Sequence, residues 1–344
     1  MTPKSEIAQI AKKTIGLVDV ARKAGVNIST VSRTINQTGR ISPEVQKRVR
    51  GVMKELGYRP NRVARRLRVR DGRCHLLGLL LPNIQNPFFA GLARGVEDIA
   101  YKHNFAVILC NYDEDPKREA FYLDVLSSEL VDGIIVPPIH ENDVAVARVI
   151  REGIPVVCVD RSLTDVPTDR VEIDNAGGAF DAVSHLIKKG HRRIGIIGGP
   201  AKSSTGRERS AGYREAHKAY GLEIDLELAR TGDYKKESGR LLASELLALP
   251  KRPTALFVCN GLMTIGALEV ISERKLRIPQ DIAIIGFDEL PLCSAFTPPL
   301  TTVRQPAYEV GRDAAELLFR RLDDPKRPFT SLELAPELVV RSST

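Results

Sequence analysis

The chain has 344 residues, 43% of them apolar, and a formal charge of +8, which is enough for one small module plus one or two domains with sizeable cores. The charge is split: residues 1–73 hold eighteen Lys or Arg against five Asp or Glu, a balance of +13, so residues 74–344 carry −5. No run approaches the roughly eighteen apolar residues of a membrane span, and the first residues lack the apolar stretch and cleavage site of an export signal, so a cytoplasmic, membrane-free protein is expected.

The segment from Asp19 to Asn36 (DVARKAGVNISTVSRTIN) reads as two short helices joined at Gly25, which supplies the backbone freedom a tight turn needs. Val20, Ala21 and Ala24 share one face and Val26 fills the angle between the helices. Asn27 stands at an N-cap position, and Val31 and Ile35 follow at the i, i+4 spacing of a buried stripe. Ile28, Ser29, Ser32 and Arg33 remain for a partner, beside helix amides that favour a phosphate. Such a helix suits a major groove: Ile28 packs on a thymine methyl, Ser29 meets a base edge or phosphate, and Arg33 pairs with guanine. The plainer alternative, an ordinary helical hairpin, does not account for the concentration of positive charge in this one module.

Ser42-Pro43 opens a third helix, with Val45, Val49, Val52 and Leu56 at helical spacing until Gly57 and Pro60 stop it. The resulting core is small, and the module should be marginally stable alone. Residues 61–73 carry six arginines with isolated Val63, Ala64, Leu67 and Val69. Mutual repulsion predicts a linker that becomes helical only when phosphates neutralise it, the alternative being a solvated connector. Lys12, Lys13, Arg62, Arg65 and Arg68 are placed for backbone phosphates.

From His75 onward, short apolar runs alternate with longer amphipathic segments. Leu76–Leu81, Ala106–Cys110, Gly133–Val136 and Pro155–Val159 read as buried strands, with helices near 89–103, 117–129 and 141–152. A second series follows at Arg193–Ile197, Ala255–Cys259 and Ile282–Gly286, with helices near 175–189, 207–221, 235–249 and 262–275. Two successive parallel-sheet domains account for both series. Cys74, Cys110, Cys158, Cys259 and Cys293 lack paired spacing and read as buried free thiols.

Ligands of such folds gather at the carboxyl ends of strands. Those ends offer Phe88, Phe89, Pro137, Pro138, Asp160, Arg161, Thr205, Arg209, Tyr234, Asn260 and Asp288. Phe89 and Tyr234 can sandwich a sugar face or a flat ring, while Arg209, Asp288, Asp160 and Asn260 fix hydroxyls or polar edges. Each residue also has a duller reading as a helix cap, core aromatic or solvated charge, and Arg209 paired with Asp288 is the structural alternative to ligand binding. The six histidines show no metal spacing, and no serine elbow, dinucleotide fingerprint or phosphate loop is present, so neither catalysis nor a cofactor is expected.

Asp19-Val20-Ala21, Ala24-Gly25-Val26, Thr30-Val31-Ser32-Arg33, Glu55-Leu56-Gly57-Tyr58-Arg59-Pro60-Asn61 and Ala64-Arg65 occur in order. They are followed by Asn86-Pro87-Phe88-Phe89, Val131-Asp132-Gly133-Ile134-Ile135, Gly190-His191-Arg192-Arg193-Ile194-Gly195, Gly286-Phe287-Asp288 and Leu300-Thr301-Thr302-Val303. From about residue 16 to 340 the chain resembles the lactose-repressor family of bacterial transcription regulators. The resemblance implies a small all-α helix-turn-helix head (1–60), a hinge helix (61–73) and an α/β body of two parallel-sheet lobes like a periplasmic sugar-binding protein. Its three crossings would give a first lobe of 74–173 with 306–333 and a second of 174–305 with 334–344. It further implies a homodimer, in some members a tetramer, on near-palindromic double-stranded operator DNA. Asn27, Thr30 and Ser32 would stand at the DNA backbone, and Arg66 and Leu67 in the minor groove with Leu67 as a wedge. The effector would lie between the lobes on Phe88, Phe89, Asp160, Arg161, Thr205, Arg209, Tyr234, Asn260 and Asp288.

Three departures qualify the match. Gly16 stands where members usually cap the first helix with Thr, Asn260 is followed by Gly261-Leu262 rather than Asp, and Ser203 replaces an arginine of purine-responsive members. Tyr234 stands for Phe, and Asp160-Arg161 resembles sugar-responsive members. A sugar or polyol is the expected effector class, a nucleobase or nucleoside the second.

Overall fold

A computed structural model describes residues 15–36, 39–58, 73–291 and 293–344, in two compact units that divide between Cys74 and His75. In the first unit α1 (Leu17–Ala24) begins after Gly16. Gly16 has no side chain with which to cap, so Asp19 supplies the reverse half of the cap: its Oδ2 accepts from the Gly16 N–H at 3.0 Å. Gly25, at φ 62°, ends the helix, and the Val26 N–H donates back to the Ala21 carbonyl at 3.1 Å. Asn27 directly precedes α2 (Ile28–Asn36), and its carbonyl accepts from the Thr30 and Val31 N–H groups. Ser42 caps α3 (Pro43–Leu56) through the Val45 N–H, and Gly57 ends it at φ 63°. Val20, Ala21, Ala24, Val31 and Val49 are buried, while Ile35, Val45, Val52 and Leu56 only pack against them. This is a small core of the size expected for the head.

The second unit contains two six-stranded sheets. The first is built from β1 (Leu76–Leu81), β2 (Ala106–Asn111), β3 (Gly133–Val136), β4 (Val156–Val159), β5 (Asp169–Ile173) and β11 (Ser331–Leu334), in the order 11-5-4-3-1-2. All its pairings are parallel. The second is built from β6 (Ile194–Gly198), β7 (Ala229–Thr231), β8 (Ala255–Val258), β9 (Ala283–Phe287), β10 (Thr301–Arg304) and β12 (Glu337–Val339), in the order 12-10-9-8-6-7. Only β12 runs antiparallel, against β10. Central strands such as β3, β4, β8 and β9 are buried at every residue, as sheets covered on both faces require.

The covering helices are α4 (Pro87–Lys102), α5 (Pro116–Ser128), α6 (Val144–Arg151) and α11 (Ala307–Asp323) on the first sheet, and α7 (Asn175–Lys188), α8 (Ser204–Ala219), α9 (Lys236–Leu247) and α10 (Gly261–Glu273) on the second. The chain passes between sheets after β5, after β10 and after β11. Strands β5, β7, β10, β11 and β12 and helix α11 were not among the elements read from periodicity. Four of the five cysteines are buried free thiols as expected, whereas Cys74 is half-buried.

α4 and α11 pack closely because both carry glycine at the contact. A Cβ on Gly311 would lie 2.0 Å from the Leu92 carbonyl oxygen, and one on Gly95 2.2 Å from that of Tyr308. Elsewhere in the first lobe, Glu119 on α5 is 1% exposed and sits beside Asp143, whose Oδ1 caps α6 through the Ala145 and Val146 N–H groups. Burial, then the Asp143 carboxylate, push the Glu119 carboxyl up to about 9.

Gly51 lies inside α3 with open space around its Cβ position. Gly51→Ala should therefore stabilise the head by about 0.5–1 kcal/mol, while Gly311→Ala should destabilise the body by about 1–3 kcal/mol, both read by denaturant melts. Glu119 stays protonated in the folded protein to about pH 9 but ionises near 4.5 when unfolded. Its stabilising contribution is thus full below the lower value and lost as pH rises toward the upper one. Glu119→Gln should flatten the decline of stability over that window, by at most about 1.4 kcal/mol per pH unit; parallel stability curves for the two proteins would contradict this.

Candidate functional site

On α2 the expected reading face is the open one. Asn27, Ile28, Ser29 and Arg33 are exposed and Thr30 and Ser32 half-buried, whereas Thr34 is buried with its hydroxyl donating to the Thr30 carbonyl at 2.9 Å. Ile28 is 44% exposed, an apolar side chain with no place in the head core. Lys12, Lys13, Arg62, Arg65, Arg66, Leu67 and Arg68 lie outside the described residues.

In the body, the nine residues read as an effector shell line one cavity of about 1050 Å³ between the two sheets. They reach it from beyond the ends of four strands, β4, β7, β8 and β9, and from the first turns of α4 and α8. Asn86 caps α4 by accepting from the Phe88 N–H at 3.0 Å. Phe88 and Phe89 then form an edge-to-face pair, ring centres 5.0 Å apart, that belongs to the first-lobe core and lines the cavity. On the opposite wall the Tyr234 hydroxyl meets Thr205 Oγ1 at 2.9 Å, which in turn meets Ser203 Oγ at 2.8 Å.

Asp288 is a hub. It accepts from the Gly261 N–H at 2.9 Å, from Asn260 Nδ2 at 3.3 Å and from Gln305 Nε2, tying the ends of β9, β8 and β10 together. Asn260 uses its own Oδ1 to cap α10 through the Leu262 and Met263 N–H groups, so the duller cap reading and the cavity position hold for the same residue. Arg209 does not pair with Asp288. Its Nε donates to Asn175 Oδ1 at 2.8 Å, its Nη1 to the Cys259 carbonyl at 2.7 Å, and its plane lies 3.8 Å over the Phe287 ring. The guanidinium is held by a carbonyl and an aromatic face, and acts on Asp288 only through space.

Arg161 is bound by both oxygens of Glu114, at 2.9 and 2.6 Å. Its Nε makes no hydrogen bond and stands 3.6 Å from Asp160 Oδ2. Burial raises the Asp160 and Asp288 carboxyls, against the opposing pull of Arg161 and Arg209 on the first and of Arg209 on the second. Backbone strain gathers here as well. Of nine non-glycine residues with positive φ among the described residues, five line the cavity: Asp113, Glu114, Asp160, Tyr234 and Asp288. Side chains held at such cost indicate placement for a task.

Pro137 and Pro138 lie outside the cavity; the Pro137 carbonyl instead accepts from the buried Tyr112 hydroxyl. The expected shell also omitted Asn86, Glu114 and Gln305. Asn86 was visible in the motif before Phe88, and Glu114 and Gln305 follow β2 and β10 within three residues. Arg207 on α8 pairs with Glu141 of the other lobe across the gap between them. Among the described residues no cluster suited to a metal ion is found, and no helix is long and apolar enough to cross a membrane.

A family model for the bacterial regulatory proteins of the lacI family matches residues 16–61, and one for the periplasmic binding protein-like domain matches residues 183–344. The transcriptional regulator DegA of Bacillus subtilis (strain 168) is 37% identical over 331 residues, covering 95% of this chain and 97% of its own. The repressor PurR of Aliivibrio fischeri (strain MJ11) and the ribose operon repressor of Escherichia coli (strain K12) are each 36% identical, covering 94% of this chain and 97% and 98% of theirs. Among solved structures, the CelR regulator in complex with cellobiose is 34% identical at TM-score 0.74, covering 96% of this chain and 100% of that one. The lac repressor dimer bound to operator and anti-inducer is 27% identical at TM-score 0.85, covering 96% and 99%.

Proposed function

Because the chain belongs to the lacI family of bacterial regulatory proteins, which are sequence-specific DNA-binding transcription regulators and not enzymes, we propose that it is a cytoplasmic, homodimeric repressor whose grip on a near-palindromic operator is set by a sugar or polyol. The observation that carries the effector reading is the cavity, whose lining combines the aromatic side chains Phe88, Phe89 and Tyr234 with carboxylate, amide, guanidinium and hydroxyl groups. A sugar offers an apolar ring face and several hydroxyls at once, and a buried partner left unpaired penalises the wrong sugar. The cellobiose in the CelR structure and the name of the ribose operon repressor favour this class; the PurR relatives favour a purine as the second reading.

A second copy of the chain is the natural cover for the apolar side chains left open along β2 and α5. Leu109 on the edge strand β2, Phe121 and Val125 on α5, and Leu130 just past it are 36–60% exposed. In the dimer two heads would read two half-sites, with Ile28, Ser29 and Arg33 at base edges and Asn27, Thr30, Ser32 and the arginines of the linker at phosphates. Lobe closure on the effector would change the separation of the linkers, and the coupling is reciprocal: a ligand that weakens operator binding is itself weakened by operator, and a corepressor reverses both signs.

Calorimetry with ribose, glucose and cellobiose, repeated in the presence of operator DNA, tests this reading. Arg209→Ala should abolish the effector heat while leaving DNA binding intact, and binding of a purine but no sugar would overturn the choice of class. Arg33→Ala should lose about 1–3 kcal/mol of discrimination at its base pair; an equal loss on operator and random duplex would remove Arg33 from base reading. Leu67→Ala should reduce the operator bend in a circular-permutation gel assay, as expected of a minor-groove wedge, and an unchanged bend would place Leu67 elsewhere.

A further inference from the structure

Seven acidic side chains line the cavity against five basic ones, and the basic ones are largely spoken for. Both ends of the Arg161 fork are taken by Glu114, which compensates the charge of a residue only 4% exposed. Arg209 is held by Asn175 and the Cys259 carbonyl, Arg118 by Asp113 and Lys236 by Glu269. An arginine fork recognises phosphate or carboxylate through two parallel N–H groups. Here the buried fork of Arg161 already carries a carboxylate of the chain's own.

We propose that the cavity takes an uncharged polyhydroxylated effector and rejects its phosphorylated or carboxylated counterpart, and that Glu114 sets this selectivity by occupying the Arg161 fork. The inference rests on the reading of the cavity as the effector site and narrows it. Glu114 does not act by size or by touching a hydroxyl; it acts by filling the place an anionic ligand would need. Its backbone stands at φ 55°, next to Asp113 at the same φ, so the turn that delivers the carboxylate to Arg161 is maintained against its local preference. Substitution by the neutral isostere frees the two Nη groups of a buried, charged Arg161 from their carboxylate and leaves only Asp160, 3.6 Å from Nε, against that charge, the condition under which an external anion becomes a better ligand.

The test uses the full chain and ligands of matched shape: ribose against ribose 5-phosphate, glucose against glucose 6-phosphate, and inorganic phosphate alone. With the wild type, the free sugar that binds should exceed its phosphate ester by at least about tenfold, and inorganic phosphate should leave the melting temperature where chloride at equal ionic strength leaves it. With Glu114→Gln the gap should narrow and inorganic phosphate should raise the melting temperature; Glu114→Asp, which keeps the charge, should behave like the wild type. A wild type that binds an ester more tightly than the sugar overturns the proposal, as does a folded Glu114→Gln protein that gains nothing from phosphate. Should Glu114→Gln fail to fold, the wild-type comparison of sugar, ester and phosphate decides alone. If the wild type binds none of these sugars or esters but Glu114→Gln still gains inorganic phosphate, the sugar reading fails while the role of Glu114 stands.

Discussion

A parallel strand covered by helices on both faces has no side on which a polar residue can meet water, so its polar chemistry is driven to its ends. Both sheets of the body are built this way, and their central strands are apolar at every position. Asp160, Asn260 and Asp288 stand just beyond the carboxyl ends of β4, β8 and β9 because these are the first places past the apolar run where a hydrogen-bonding side chain can be satisfied, and Gln305 takes the same position after β10. Asp288 shows how tightly such places are used: one carboxylate meets a backbone amide at the start of α10 and two side-chain amides from other strand ends. The cavity follows from two such sheets offering their carboxyl ends to the same space.

What could be read from the chain divides along the same line. Strands β1, β3, β4, β8 and β9 announce themselves as unbroken apolar runs because burial on both faces imposes that composition. β7, β11 and β12 are edge strands of three or four residues with alternating or open burial, and they are strands only because a neighbour already present offers its edge. β5 alternates buried and half-buried residues and hides behind two charged ones. Asp160, Asn260 and Asp288 follow strands visible as apolar runs and could be found there, whereas Gln305 follows β10, which was not recognised.

The candidate site was legible in membership and not in wiring. Arg209 and Asp288 invite pairing by charge alone, but the guanidinium lies on the Phe287 ring and donates to a backbone carbonyl, and the carboxylate is filled from other directions. Charge gives an attraction without a direction, and directions come from which strand end carries each backbone. Glu114 was missed for the same reason: forty-seven positions separate it from Arg161, and nothing local marks it as the partner. In the head, by contrast, cap, turn and stripe are short-range features, which is why Gly25, Ser42 and the exposed face of α2 could be placed from spacing.

The strands β11 and β12 are separated only by Ala335 and Pro336, yet each completes the edge of a different sheet. During translation these residues are made after the other described strands, so both sheets stand with an open edge, at β5 and at β10, until β11 and β12 have left the ribosome. Exposed edges of that kind invite pairing with foreign chains, and a nascent body is a natural client for chaperones until then. The head core, in contrast, draws on residues 17–58 and is synthesised first. A growing chain therefore holds everything its DNA reader packs with well before it can hold a sensor, and the order of synthesis sets recognition before control.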